Sequence, residues 1–179
     1  MRTRQILLDA AKTLLEKHQI NEITVQDILN EAGVSRPTFY VYFHDKYDVA
    51  NAYYYESILK KGVIYDDTCP YEERRLRLVQ FCKENAAILL NLLNEQGQDS
   101  LLDYLFKEVY HITIPDMEHQ YQVKFTENMN YMLRGIWDGQ MSCLRYWLED
   151  GCVLDTEQMR DMLIAMEKGP ILQYCKNIK

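Results

Sequence analysis

GVSRPTFYVYF, from Gly33 to Phe43, gathers side chains whose chemistry suits a nucleic-acid surface. The guanidinium of Arg36 can pair in two places with guanine O6 and N7, and Val41 can touch a thymine methyl. Thr38 can reach a base or a phosphate, and the hydroxyls of Tyr40 and Tyr42 suit phosphate oxygens. On a helix turning about 100° per residue, Phe39 and Phe43 share one side. Pro37, Thr38 and Val41 fall on the opposite side, with Tyr40 and Tyr42 at its margins and Arg36 near its start. A face meant for water would carry Glu, Lys and Gln. Lys46, just beyond, adds a cation, and the N–H groups of the helix it begins could hold a phosphate.

The flanking residues supply the elements that position this face. Leu7, Ala10, Ala11, Leu14 and Leu15 recur at helical spacing and predict a helix from about Thr3 to Lys17. Thr24 followed by Asp27 has the spacing of a capping box and opens a second helix, with Val25, Ile28, Leu29 and Ala32 on its apolar face. Gly33 ends it, where a left-handed residue is tolerated. Ser35 caps a third helix, and Pro37 lies in its first turn, where a missing N–H loses no bond. Two helices joined by so short a turn form a helix-turn-helix, whose second helix enters the major groove of DNA. Spacing alone leaves this open against a short helix pair in any all-α protein.

Helical periodicity continues to the end, with no alternating segment longer than four residues, so an all-α fold is expected. Asp45 caps a fourth helix running from about Lys46 into the low 60s, and YDDTCP breaks the chain. Further helices are expected over Tyr71 to Asn94 and Ser100 to Tyr110, with HITIPD ending the latter at Pro115. A long helix follows from about Glu118 to Leu148, with Gly151 as its cap. Asp155 or Thr156 opens the last helix, which Gly169–Pro170 closes. Residues 1–61 carry eight Lys or Arg and eight Asp or Glu, so the net charge of −7 resides entirely in the remainder. That asymmetry suggests two parts with different partners, 1–62 and 63–179.

Other chemistries find little support. Five Cys, an odd number without C-x-x-C, argue against a disulfide framework or structural zinc and favour a reducing cytoplasm. No segment reaches the roughly 18 apolar residues of a membrane span. Phosphate-loop, dinucleotide, nucleophile-elbow and zinc-protease motifs are absent, and His111 and His119 have no recognised ligand spacing. No enzyme activity, metal or cofactor is expected.

ILLDAAKTLLEK, followed by ITVQDILNEAGVSRPTFYVYFHDKYDV, resembles the N-terminal domain of the TetR/AcrR family of transcriptional regulators. The match runs over about residues 3–50 and includes Ala10-Ala11, Ile23-Thr24-Val25, Ala32-Gly33-Val34-Ser35, Thr38-Phe39-Tyr40 and Phe43-x-x-Lys46. The resemblance implies a three-helix helix-turn-helix head followed by an all-helical ligand-binding and dimerisation domain. It places Thr24, Gln26, Ser35, Arg36, Pro37, Thr38, Tyr40, Val41, Tyr42 and Lys46 at double-stranded DNA, with Tyr42 and Lys46 holding phosphates. One departure stands out. Many members have a Gly and an aromatic residue after the first helix, where this chain reads His18-Gln19-Ile20, which puts that helix's usual cap in doubt.

Beyond residue 65 the likeness is looser, though GIWDGQMSCLRYWLEDGCVLDTEQMRDML is similar to the end of one subgroup of these domains. There the last two helices pair with those of a second chain. Gly135, Gly139 and Cys143 form a small-residue stripe, and Trp147, Met159, Leu163 and Met166 add apolar surface, which suits either a dimer interface or the chain's own core. Phe81, Tyr104, Phe106, Phe125, Met129 and Trp137 are candidates for lining an effector pocket, or plain core. The expected function is a homodimeric repressor released from a palindromic operator by a small molecule. The alternative is a co-activator or adaptor working through protein contacts of its C-terminal domain.

Overall fold

The computed structural model describes residues 2–60, 68–94 and 100–177. Every regular element among them is a helix: α1 (Arg2–Leu15), α2 (Val25–Ala32), α3 (Arg36–Tyr42), α4 (Lys46–Lys60), α5 (Tyr71–Glu84), α6 (Ala86–Leu93), α7 (Leu101–Tyr121), α8 (Met129–Glu149) and α9 (Thr156–Asn177). They form two compact units, residues 1–57 with 85–105 and residues 58–84 with 106–179. Each unit therefore takes two separate stretches of chain. The boundary expected between residues 62 and 63, like the start of the YDDTCP break, lies outside the described residues.

In the first unit the local signals act as read. Thr24 and Asp27 cap each other reciprocally at the start of α2, and Gly33 ends that helix at φ 63. Asp45 accepts from the N–H groups of Tyr47 and Asp48 at the start of α4. Leu7, Leu8, Ala11, Leu15, Ile28, Phe39, Phe43 and Val49 make the core of the three-helix head. The helix expected over Tyr71 to Asn94 is instead two, because the backbone breaks at Asn85 (φ −113, ψ 25). The break lets Val79, Phe81 and Cys82 bury in one unit and Ile88, Leu89, Leu92 and Leu93 in the other.

In the second unit α5 packs chiefly on α9, and α8 packs on both. Two expected stops fail. Helix α7 passes through Pro115 to Tyr121, and α9 passes through Pro170 to Asn177. Proline within a helix costs about 3 kcal/mol. Burying one large apolar side chain returns about 1.5–3 kcal/mol. Beyond Pro115, Met117 and Tyr121 pack on a cluster with Met129 and Leu133; beyond Pro170, Ile171 and Leu172 join it. Burial outweighs the lost bond in each case. The turn between α7 and α8 is made instead at Gln122 (φ 53), and Glu118, expected to begin a helix, accepts from the Phe125 N–H at 2.7 Å. Gly151 is left-handed (φ 76) as expected, and Asp155 caps α9, accepting from Gln158 N–H at 2.8 Å. No helix among the described residues is long and apolar enough to cross a membrane.

Candidate functional site

Helix α3 has only seven residues, too few to hold its shape alone. Two side chains anchor it. Phe39 is 0% exposed and Phe43 3%, with ring centroids 6.0 Å apart. Arg4 of α1 lies over the Phe43 ring at 5.2 Å and pairs with Glu56 of α4. The other side of α3 stays uncovered: Val41 is 75% exposed and Tyr40 49%, and Arg36, Pro37 and Tyr42 are exposed beside them. The wheel reading holds for Phe39 and Phe43 on one side and Pro37, Tyr40, Val41 and Tyr42 on the other, while Thr38, expected on the open side, is half-buried with its hydroxyl beside that of Ser35.

The polar residues of this face are ordered from within. Ser35 caps α3, accepting from the Thr38 N–H at 3.4 Å, and its hydroxyl lies 2.8 Å from that of Thr38. Thr24 is engaged at the start of α2, donating to Asp27 at 2.6 Å. Bonding to the Thr24 hydroxyl and backbone lowers the Asp27 pKa. Gln26 accepts from Arg36 at 3.2 Å and donates to Asn30 at 2.9 Å. Arg36 is thus held by a relay across α2, with Asn30 a member that the sequence did not single out. Among the described residues, one guanidinium N–H of five is used.

Lys46 stands apart from this set. Its ammonium donates to the carbonyls of Ile20 (2.8 Å), Asn21 (3.1 Å) and Ile23 (2.8 Å), which employs all three of its donors inside the head. The N–H groups expected to take a phosphate at the start of α4 are filled by Asp45. Lys46→Met keeps the aliphatic stem and removes all three bonds. It is expected to lower the stability of the head by about 1.5–3 kcal/mol, the scale of hydrogen bonds to a charged group. Urea denaturation checks this; unchanged stability with a shallower salt dependence of DNA binding would return Lys46 to a phosphate.

The doubtful cap after α1 is supplied from far away. Asn91 of α6, itself buried, accepts from Ile20 N–H at 2.8 Å and donates to the His18 carbonyl at 2.8 Å. A side chain 71 residues on therefore closes this turn. Nothing in the local sequence marks Asn91 for this.

The residues expected at a dimer interface divide. Trp147, Met159 and Leu163 are buried within the chain, and the Trp147 indole donates to the Leu154 carbonyl at 2.9 Å. A Cβ on Gly139 would lie 3.3 Å from the Met166 methyl, and Cys143 Sγ is 3.5 Å from Met162 Sδ, so this part of the stripe serves α8–α9 packing within the chain. Gly135 alone of the stripe faces open space. Of the pocket candidates, Phe106 and Trp137 meet edge to face at 6.0 Å and line one pocket with Arg75, Gln140 and Glu167. Phe81, Phe125 and Met129 do not line it, and Tyr104 belongs to the first unit, against Tyr55.

Comparison with known proteins finds two matches along the chain. Residues 7–53 match the family model of bacterial regulatory proteins of the tetR family, and residues 72–169, more than half the chain, match that of a transcriptional regulator C-terminal region. The chain belongs to the TetR family of transcriptional regulators. Over 40 residues it is 50% identical to the HTH-type transcriptional regulator EthR of Mycolicibacterium smegmatis. Over 40 residues it is 48% identical to EthR of Mycobacterium tuberculosis. Each match covers 22% of this chain and 18% of the relative. The TetR-family head is the helix-turn-helix of α2 and α3, and the C-terminal part is all helical.

The second unit holds a buried polar network that sequence reasoning also missed. Glu167 is 1% exposed and accepts from the hydroxyls of Tyr71 and Tyr121, from Arg75 at 2.6 Å and from Gln140 at 3.0 Å. Burial, with the carboxylate beside them, raises the pKa of both phenols, so they remain donors at neutral pH. Burial opposes the charge on Arg75, but Glu167 and the two phenols outweigh it and raise its pKa. A signal was available: Met159, Leu163, Glu167 and Ile171 recur every fourth residue, all buried, and one of them is a carboxylate.

Proposed function

We propose that the chain is a homodimeric, ligand-responsive repressor in the cytoplasm, whose two α3 helices read successive major grooves of a palindromic operator. The observation that carries this reading is the uncovered face of α3, apolar and aromatic yet fixed on a buried Phe39–Phe43 base. Arg36, steadied by Gln26, is assigned to a guanine, Val41 to a thymine methyl, and Thr38, Tyr40 and Tyr42 to bases or phosphates. Residues 1–62 form the reading part and 63–179 the regulatory part.

The proposed contact between two copies uses what the chain leaves open: Tyr131, Gly135, Ser142 and Tyr146 on one side of α8, and Met162, Ala165 and Gly169 on one side of α9. Each set falls on a single helical face. Release follows when an effector binds one arrangement of the dimer better than the other, since only differential affinity shifts such an equilibrium.

A gel shift and footprint on the DNA upstream of its own gene tests the reading. Two protected half-sites one helical turn apart support it; a folded dimer that protects nothing there, or anywhere in a random duplex pool, overturns it. Arg36→Ala is expected to lose about 1–3 kcal/mol of discrimination at one base pair per half-site. Titration of single-base variants of the site measures this, and an equal loss at every position would remove Arg36 from a base.

A second reading, an adaptor acting through protein contacts, is favoured by the small size of the pocket beside Trp137, about 40 Å³. A melting temperature unmoved by a panel of metabolites would support it over an effector-driven switch.

A further inference from the structure

The pocket lined by Arg75, Phe106, Met117, Ile136 and Trp137 has polar walls whose hydrogen-bonding capacity is lopsided. Its carboxylate is filled. Glu167 takes two donors on each carboxylate oxygen: Tyr71 and Tyr121 on Oε1, Arg75 and Gln140 on Oε2. Four donors match the lone-pair capacity of a carboxylate. The Gln140 side-chain oxygen accepts from Arg75 at 3.2 Å, and its amide also donates to the Leu163 carbonyl at 2.8 Å.

Two donors are left over. Arg75 Nε and Trp137 Nε1 are shielded from solvent and have no acceptor among the described residues. Buried N–H groups without a partner are rare in folded proteins and point to an occupant that completes them. Both residues are held in place. The Phe106 ring meets Trp137 edge to face, and the Arg134 guanidinium covers Phe106 at 4.4 Å. The Arg75 guanidinium is tied through Nη2 to Glu167 and Gln140.

We infer that this pocket binds a small, uncharged, largely apolar molecule through one carbonyl-type oxygen, which accepts from Arg75 Nε–H and Trp137 Nε1–H. The charge follows from the pairing already present. Arg75 and Glu167 neutralise each other, so an anion would bury a net charge among Phe106, Met117 and Ile136. A cation or amine finds the carboxylate filled. The size follows from the volume of about 40 Å³, room for roughly three waters. A short ketone, ester, lactone or amide head meets all of these conditions. This assignment rests on the ligand-responsive reading above and names the chemical class of its effector.

The full chain offers its own probe. It has two Trp, and the Trp147 indole is already bonded to the Leu154 carbonyl, so it reports folding while Trp137 reports the pocket. Nitrogen-15 labelled protein is titrated with 2-butanone, butyrate and butylammonium, four-carbon probes that differ in charge. The ketone is expected to shift the Trp137 indole N–H signal saturably and leave Trp147 in place, while the two ions do neither. Trp137→Phe, which keeps an aromatic wall, is expected to weaken the ketone's effect on melting temperature by about five- to tenfold in concentration, the loss of one hydrogen bond. No saturable shift of Trp137, an equal response to butylammonium, or an unchanged response in Trp137→Phe would overturn the assignment. Ketone bound with no release of operator DNA would uphold the site and refute ligand-responsive regulation instead.

Discussion

Phe39→Ala is expected to unfold the helix-turn-helix head, at a cost of about 3–5 kcal/mol, the range for deleting a fully buried Phe. The ring is 0% exposed, against Phe43 at 6.0 Å and Tyr40 at 5.3 Å between centroids. Its loss removes both the transfer energy of the ring and the packing that lets a seven-residue helix persist. Collapse into the gap is limited, because the Thr24–Asp27 box fixes the start of α2 and the three carbonyl bonds of Lys46 fix the turn before it. Urea denaturation followed by amide exchange in residues 2–60 measures it, and DNA binding is expected to vanish with the fold. Val41→Ala, only two residues away but 75% exposed, is expected to leave stability unchanged. Comparable losses from both would mean that the two faces of α3 have been assigned wrongly.

Glu167→Gln is expected to destabilise the second unit by about 3–5 kcal/mol, because it leaves the Arg75 charge buried without a counter-ion. The pairing itself is a weaker source of stability than that number suggests, since both charges must first leave water. Arg75→Met combined with Glu167→Leu is therefore expected to be far milder than Glu167→Gln alone, near neutral or stabilising. Chemical denaturation of the two variants side by side decides it. A double substitution at least as damaging as the single one would show that the network of Tyr71, Tyr121 and Gln140 depends on the carboxylate for more than charge balance.

The head was legible because its instructions are local. Thr24 and Asp27 are three residues apart, Gly33 follows directly on its helix, and Phe39 and Phe43 are one turn apart, so each could be read from a short window. Lys46 and Asn91 could not. Lys46 carries a charge at a helix start and so reads as a phosphate ligand, until the fold brings the carbonyls of residues 20–23 to it. Asn91 acts across 71 residues. In the second unit the misreadings at Pro115 and Pro170 have one physical cause: local breaking power was weighed without the burial of Tyr121 and Ile171 beyond it. The apolar residues of α8 and α9 showed how much surface would be buried but not by what, and Trp147, Met159 and Leu163 proved to be the chain's own core. Glu167 was readable in principle, as the one carboxylate in a four-residue repeat of buried positions.

Selection from a pool of random-sequence duplexes by the purified 179-residue chain tests most directly whether the uncovered face of α3 is a DNA-reading surface. The predicted result is enrichment of an inverted repeat with its half-sites one helical turn apart, carrying a guanine whose enrichment disappears when the selection is repeated with Arg36→Ala. A folded protein that enriches no sequence, or that enriches the same sequence equally well without the Arg36 side chain, would contradict it.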